Sequence, residues 1–147
     1  LKGNYTRYPE IKKAQYRRLK AMRSPLWVEA MITVIKRQKW FRWHDAGDVQ
    51  DLEHLNKIFE ICRATPETRH WLPTREAWIK NELERKPKNL VIRFSPPMMG
   101  QRVDSWPHSS MVVDKDATCP APKQGGKCGD CRQCWDPAVK VVSYGKH

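Results

Sequence analysis

Four of the chain's five cysteines stand close together, at Cys119, Cys128, Cys131 and Cys134, in the spacing C-x8-C-x2-C-x2-C. A thiolate is a soft ligand, and four of them complete a tetrahedral zinc site or hold a [4Fe–4S] cluster. Gly125, Gly126 and Gly129 lie between them, and glycine lets a short loop turn tightly enough to bring its sulfurs inward. Structural zinc commonly takes two separated cysteine pairs. Here three cysteines run on at x2 spacing and the outlying one is followed by proline, Cys119-Pro120, which is the ligand logic of iron–sulfur proteins. The pattern favours a [4Fe–4S] cluster, with zinc as the alternative. Two disulfides would also use four cysteines. However, Cys131 lies three residues from both Cys128 and Cys134, and bridging such near neighbours strains the bond. Cys62 stands apart on an apolar helical face and reads as a small buried hydrophobe.

A second group of reactive side chains is spread along the chain. His44 and Asp45 are adjacent at a predicted strand end and could act as acid, base or ligand. Neighbouring strand residues point to opposite faces, so at most one of the two enters a given pocket. Arg75 and Glu76 follow a second strand end, where they could bind a phosphate or carboxylate, or simply pair at the surface. His70, between Arg69 and Trp71, reads as structural. His108 could substitute as a ligand, but four thiolates already fill a site.

The elements that must position these residues follow from pattern. Pro9 can open a helix, and Ile11, Gln15, Leu19 and Met22 recur at helical spacing among Lys12, Lys13, Arg17, Arg18 and Lys20. Ser24-Pro25 reads as a cap and first-turn proline, with Trp27, Val28, Met31, Ile32 and Ile35 marking a more apolar, buried helix. A short aromatic strand, Trp40 to His44, stops at Asp45-Ala46-Gly47-Asp48, and Asp48 is the expected cap of the next helix. That helix carries Leu52, Leu55, Ile58, Phe59 and Cys62 inward and ends at Thr65-Pro66. Arg69 to Leu72 is a strand expected to break at Pro73, and Thr74 caps a helix with Trp78, Ile79 and Leu83 inward, stopped by Pro87. Asn89 to Phe94 is the clearest strand. Ser110 to Val113 and Val139 to Val142 are the remaining strands.

Strands alternating with helices imply parallel pairing and an α/β architecture. Ligands in such folds gather at the C-terminal ends of the strands. His44, Asp45, Asp48, Pro73, Thr74, Arg75 and Ser95 are therefore expected on one face. The fold expected is a partial, half-barrel-like parallel sheet with flanking helices. Residues 1–97 would form the α/β domain, and residues 98–147 a cysteine-rich metal-binding segment packed on it.

Composition narrows the partners. The 147 residues carry a net charge of +12. Residues 1–40 hold 11 basic and 2 acidic side chains, whereas residues 41–74 hold 4 and 6. A basic block of this kind suits a polyanion such as nucleic acid, gripped through the N-terminal helices, or else a solvated helix face. Seven tryptophans are more than a core needs, and exposed ones could stack on bases. No apolar run reaches the ~18 residues of a membrane span, and no secretory pattern opens the chain. A thiol cluster without such a signal fits a reducing interior.

The segments FRWHDAGDVQDLEHL, HWLPTRE and CPAPKQGGKCGDCRQCWDP, with the opening LKGNY and closing VSYGKH, resemble the phage "gene product eighty-eight" family. The resemblance spans nearly the whole chain and implies a location in the host bacterial cytoplasm. Members usually carry a further N-terminal segment ending in a C-x2-C-Y-A run, similar to the cluster loop of radical S-adenosylmethionine enzymes. Radical chemistry would depend on that segment, which stands ahead of the equivalent of Leu1. In such enzymes a Gly-Gly-Glu-like motif at a strand end holds the cofactor's amino group. The resemblance places Ala46, Gly47 and Asp48 at that position, as S-adenosylmethionine contacts; a tight turn with a helix cap would use the same residues. Two functions follow as expectations: a metal- or cluster-binding protein related to radical-enzyme half barrels, or a non-enzymatic nucleic-acid-binding protein with a structural zinc.

Overall fold

The computed structural model describes residues 8–44 and 47–146. Expectations that fall on Tyr5, Asp45, Ala46 and His147 lie outside these residues.

Helix α1 spans Pro9–Met22, with proline in its first turn and Tyr8 as N-cap. Its residues are mostly polar on every side, so it has little to bury. Met22 is its one buried residue. Lys57 Nζ reaches the Met22 carbonyl at 3.1 Å and helps pin its end. Helix α2, Trp27–Ile35, starts later than a first-turn Pro25 would set it, with Leu26 as N-cap. Ser24 Oγ instead accepts from Leu26 N–H at 3.3 Å. Ile35 is buried, Trp27, Val28, Met31 and Ile32 pack half-buried on the core, and Val34 is exposed. Helix α3, Leu52–Ala64, buries Leu55, Ile58, Phe59, Ile61 and Cys62. Burying each large apolar side chain contributes roughly 1.5–3 kcal/mol, which holds α3 firmly where α1 is held by little.

The sheet has five strands, all parallel, in the order β1-β2-β3-β4-β5. They are β1 Trp40–Arg42, β2 Arg69–Thr74, β3 Leu90–Phe94, β4 Ser109–Val113 and β5 Val141–Gly145. Each strand lies beside its sequence neighbour, so every crossover steps the same way and the sheet curls into a half barrel. Side chains alternate between its faces. Phe41, Leu72, Leu90 and Ile92 join α3 and the 3₁₀ segment Ala77–Arg85 in the main core. Trp71 and Val142 face the other way, where they pack with Cys134, Trp135 and Tyr144. The β5 edge is partly covered: Cys119 N–H donates to Ser143 O at 2.9 Å, and Ser143 N–H to Thr118 Oγ1 at 2.9 Å.

Several expectations are corrected. Strand β2 runs through Pro73. In β2 the even positions bond toward β3 and the odd ones toward β1: His70 N–H donates to Asn89 O, and Arg69 N–H to Lys39 O. Pro73 is an odd position beyond the end of β1, where no strand needs its missing N–H. Asp48 does not cap α3. Asp51 does, its Oδ1 accepting from His54 N–H at 2.8 Å. Leu52, at the first turn, is 46% exposed rather than inward. The segment after Thr74 is 3₁₀ throughout its nine residues, with Glu76 at its N-cap. The last strand begins at Val141 rather than Val139.

Candidate functional site

The four clustered cysteines lie on the connection from β4 to β5. Gly125, Gly126 and Gly129 all take positive φ, at 63°, 78° and 53°, as tight turning of that loop requires. The loop folds back over the face of the sheet away from α3. There Arg93, a fully buried residue of β3, clamps it. Arg93 donates from Nε to Cys134 O at 3.0 Å, from Nη2 to Gln133 O at 2.7 Å and Asp136 O at 3.0 Å, and from Nη1 to Lys140 O at 3.4 Å. Farther back, Trp135 Nε1 donates to Phe41 O at 3.0 Å, which ties the loop to β1.

Cys134 is the most buried of the four, 8% exposed, and its Sγ meets the Tyr144 hydroxyl at 3.1 Å. Burial pushes the Cys134 thiol up, the Tyr144 hydroxyl and Arg93 draw it down, and charge on Cys119 and Cys128 pushes it up again. Cys119 and Cys128 are thus each in electrostatic reach of Cys134. Tyr144 is raised too, by burial first and then by Cys134. All five cysteines are free thiols. Among the described residues no group of three or more His, Cys, Asp or Glu side chains is arranged to hold a metal ion. The donor set therefore fits a soft metal in type and number, while ligation would require the glycine-rich loop to draw its sulfurs closer. His108 is held by its Nε2, which meets Pro137 O at 2.9 Å, while its Nδ1 is buried without a hydrogen-bond partner among the described residues.

A second cluster forms where the strands end. Asp48 Oδ1 accepts from Val49 N–H at 2.8 Å and from the Thr74 hydroxyl at 2.6 Å, while Oδ2 accepts from Arg75 N–H at 2.6 Å. Thr74 Oγ1 accepts in turn from Glu76 N–H at 3.0 Å. Ser95 N–H donates to Thr74 O, and its hydroxyl meets that of Ser110 at 2.6 Å. The expected gathering of Asp48, Thr74, Arg75 and Ser95 is therefore present. Gly47 sits beside it at φ 90°. His44 holds φ 52°, unusual for a non-glycine residue, with its Nε2 buried and unpartnered among the described residues. Its ring lies 5.4 Å from that of His54. Burial lowers both imidazoles, His54 to about 4. Glu76 takes the Trp78 indole N–H at 3.0 Å. His70 is structural as expected, its Nε2 2.9 Å from Thr65 Oγ1.

A cavity of about 440 Å³ opens at the opposite end of the sheet beside Arg63, Arg85, Lys86 and Asn89. Its cations are partly engaged, Arg63 with Arg85 O and Lys86 with Leu90 O. Sequence reasoning missed Arg93. The available signal was a lone charged residue in the apolar run Leu90 to Phe94, at a position alternating away from the main core.

These features define an α/β protein with a parallel half-barrel sheet whose last crossover is a cysteine-bearing loop. The family model described as Gene product 88 matches residues 1–101. The chain belongs to that family. No curated protein and no solved structure matches it.

Proposed function

We propose that this chain is a thiolate metal-centre protein in which Cys119, Cys128, Cys131 and Cys134 hold a [4Fe–4S] cluster or, alternatively, zinc. The observation that carries the reading is Arg93. A fully buried guanidinium is costly unless an anion balances it. Arg93 makes no ion pair with any described carboxylate, and its bonds go to the loop's backbone carbonyls. The Asp136 carboxylate acts on it only at longer range, and metal-bound thiolates would add negative charge directly beside it, at Cys134. A cluster would supply redox chemistry and zinc a structural knot. The chain's own residues orient the loop and shield Cys134 from water.

The test is elemental analysis with an absorption spectrum on protein purified without oxygen. About four irons and sulfides per chain, with a visible band that bleaches on reduction, identifies a cluster. One zinc and no colour identifies a structural site. Neither metal, after reconstitution with iron and sulfide or with zinc, overturns the proposal.

S-adenosylmethionine binding is the finer form of this reading. Gly47 and Asp48 follow β1 in the segment to which the resemblance assigns the amino-group contact, and Asp48 carries the carboxylate such a contact needs. A carboxylate offers about four acceptor sites, and the three bonds to Asp48 leave one on Oδ2. Calorimetric titration with S-adenosylmethionine checks it, and absence of heat sinks it.

A nucleic-acid role is the second reading, and α1 favours it. Lys12, Lys13, Arg17, Arg18 and Lys20 are all exposed on a helix that buries almost nothing. Binding that weakens steeply with salt is expected.

A further inference from the structure

The inner face of the half barrel carries a group of side chains that no part of the metal reading uses. Trp40, Trp71 and Trp135 meet edge to face. The Trp40–Trp135 centroids are 5.9 Å apart and the Trp71–Trp135 centroids 5.2 Å. Three guanidinium groups lie over these rings: Arg42 over Trp71 at 4.9 Å, Arg69 over Trp40 at 5.8 Å and Arg132 over Trp40 at 5.3 Å. Register explains the grouping. Trp40 pairs with Arg69, and Arg42 with Trp71, so the four residues share one face of two adjacent strands. The cysteine loop then adds Arg132 and Trp135 from above.

Two properties set this patch apart from a packing contact. Trp40 and Trp135 are only half-buried, and Arg42 and Arg69 are exposed. In addition, Arg69 and Arg132 form no ion pair among the described residues; Arg132 Nη1 donates only to the carbonyls of Gly129 and Cys131. Arg69 and Arg132, stacked on an indole face and not paired with a described carboxylate, present both a π surface and available donors.

We propose that this Trp–Arg platform binds single-stranded nucleic acid, bases stacking on the indole and guanidinium planes and phosphates meeting the guanidinium N–H groups of Arg69 and Arg132. The inference deepens the nucleic-acid reading above and rests on it, and it is independent of which metal the thiols hold. An unpaired base has an open face to stack, and stacking of this kind tolerates any sequence. A duplex shows only phosphates and groove edges, which leaves the indoles without a role. An acidic peptide would satisfy the arginines alone. The charge agrees: Lys36, Arg37 and Lys39 run directly into Trp40.

The test uses the full chain with fluorescein-labelled 20-residue DNA, single- and double-stranded, and a poly-glutamate chain of equal length. Anisotropy reports binding, and tryptophan emission reports stacking. The single strand should bind at least tenfold tighter than the duplex and quench tryptophan emission. Arg69→Gln should weaken it about tenfold, within the range of one lost stacking contact. Arg69→Lys, which keeps charge but not the planar group, should recover only part of that loss. Arg69 is exposed at the start of its strand, so neither variant threatens the fold. Lys12→Gln with Lys13→Gln, on α1, should weaken both DNA forms alike. Equal binding of both forms without quenching, or no effect of Arg69→Gln, overturns the platform and leaves a general polyanion site. Poly-glutamate bound as tightly as the single strand overturns the choice of nucleic acid. Binding to none of the three overturns the platform and the second reading together.

Discussion

Arg93 is the residue on which the inner face depends. It fixes four carbonyls of the cysteine loop from the middle of β3. Arg93→Met would leave those carbonyls without a donor and should cost about 3 kcal/mol. Chemical denaturation measures that cost, and limited proteolysis should show cleavage within residues 119–134 rising before the sheet unfolds. The buried histidines set a pH limit. Burial holds His54 and His70 to about 4, against an ordinary 6.5. Between those values the unfolded chain takes up protons that the folded chain refuses. Their contribution to stability is therefore full above about pH 6.5 and is lost as pH falls toward 4. Urea midpoints should drop over that window, and His70→Gln should flatten the drop. Several of these residues were legible in the sequence: Cys62 as a buried thiol, His70 as structural, and the strand-end group around Asp48. The role of Arg93 was not, because a charge inside a strand says nothing about which carbonyls a distant loop will bring to it. Asp48 was misread because three aspartates, Asp45, Asp48 and Asp51, precede the helix, and only the fold shows that the nearest, Asp51, caps it.

At the scale of elements, α1 and α3 are opposites. Both are helices of similar length, but α3 buries a full apolar face and α1 only Met22. Short helices are marginal without tertiary support. Amide exchange in α1 should therefore be far faster than in α3 in the free chain. Protection in α1 equal to that in α3 would contradict this account. Parallel pairing was legible because helical and strand periodicities alternate cleanly. The passage of β2 through Pro73 was not, since it depends on where β1 stops. The 3₁₀ character of Ala77–Arg85 was equally hidden, because Trp78, Ile79 and Leu83 suit an α-helix as well.

The whole molecule is joined across the expected boundary at residue 97. Phe94 pairs with Ser109, and Phe94 N–H donates to His108 O at 3.2 Å. The cysteine loop meanwhile returns to β1, β2 and β3. A chain cut after residue 97 would expose the edge of β3 and leave Arg93 buried nowhere. Residues 1–97 alone should fail to give cooperative thermal unfolding by circular dichroism, whereas the full chain should melt in one transition. A cooperative melt of the shorter chain would show that the two parts are separable.

The two margins of the sheet are unequal, and this gives it a direction. Thr118 and Cys119 occupy part of the backbone along β5, while β1 is the other terminal strand and is only three residues long. A sixth strand could therefore be annealed along β1 and hardly along β5. Pro73 adds a vertical limit, since a newcomer replacing or lengthening β1 finds no donor on β2 above Arg42. A strand added to this half barrel would have to arrive from the tryptophan side and stay low, beside the bases of β1 and β2.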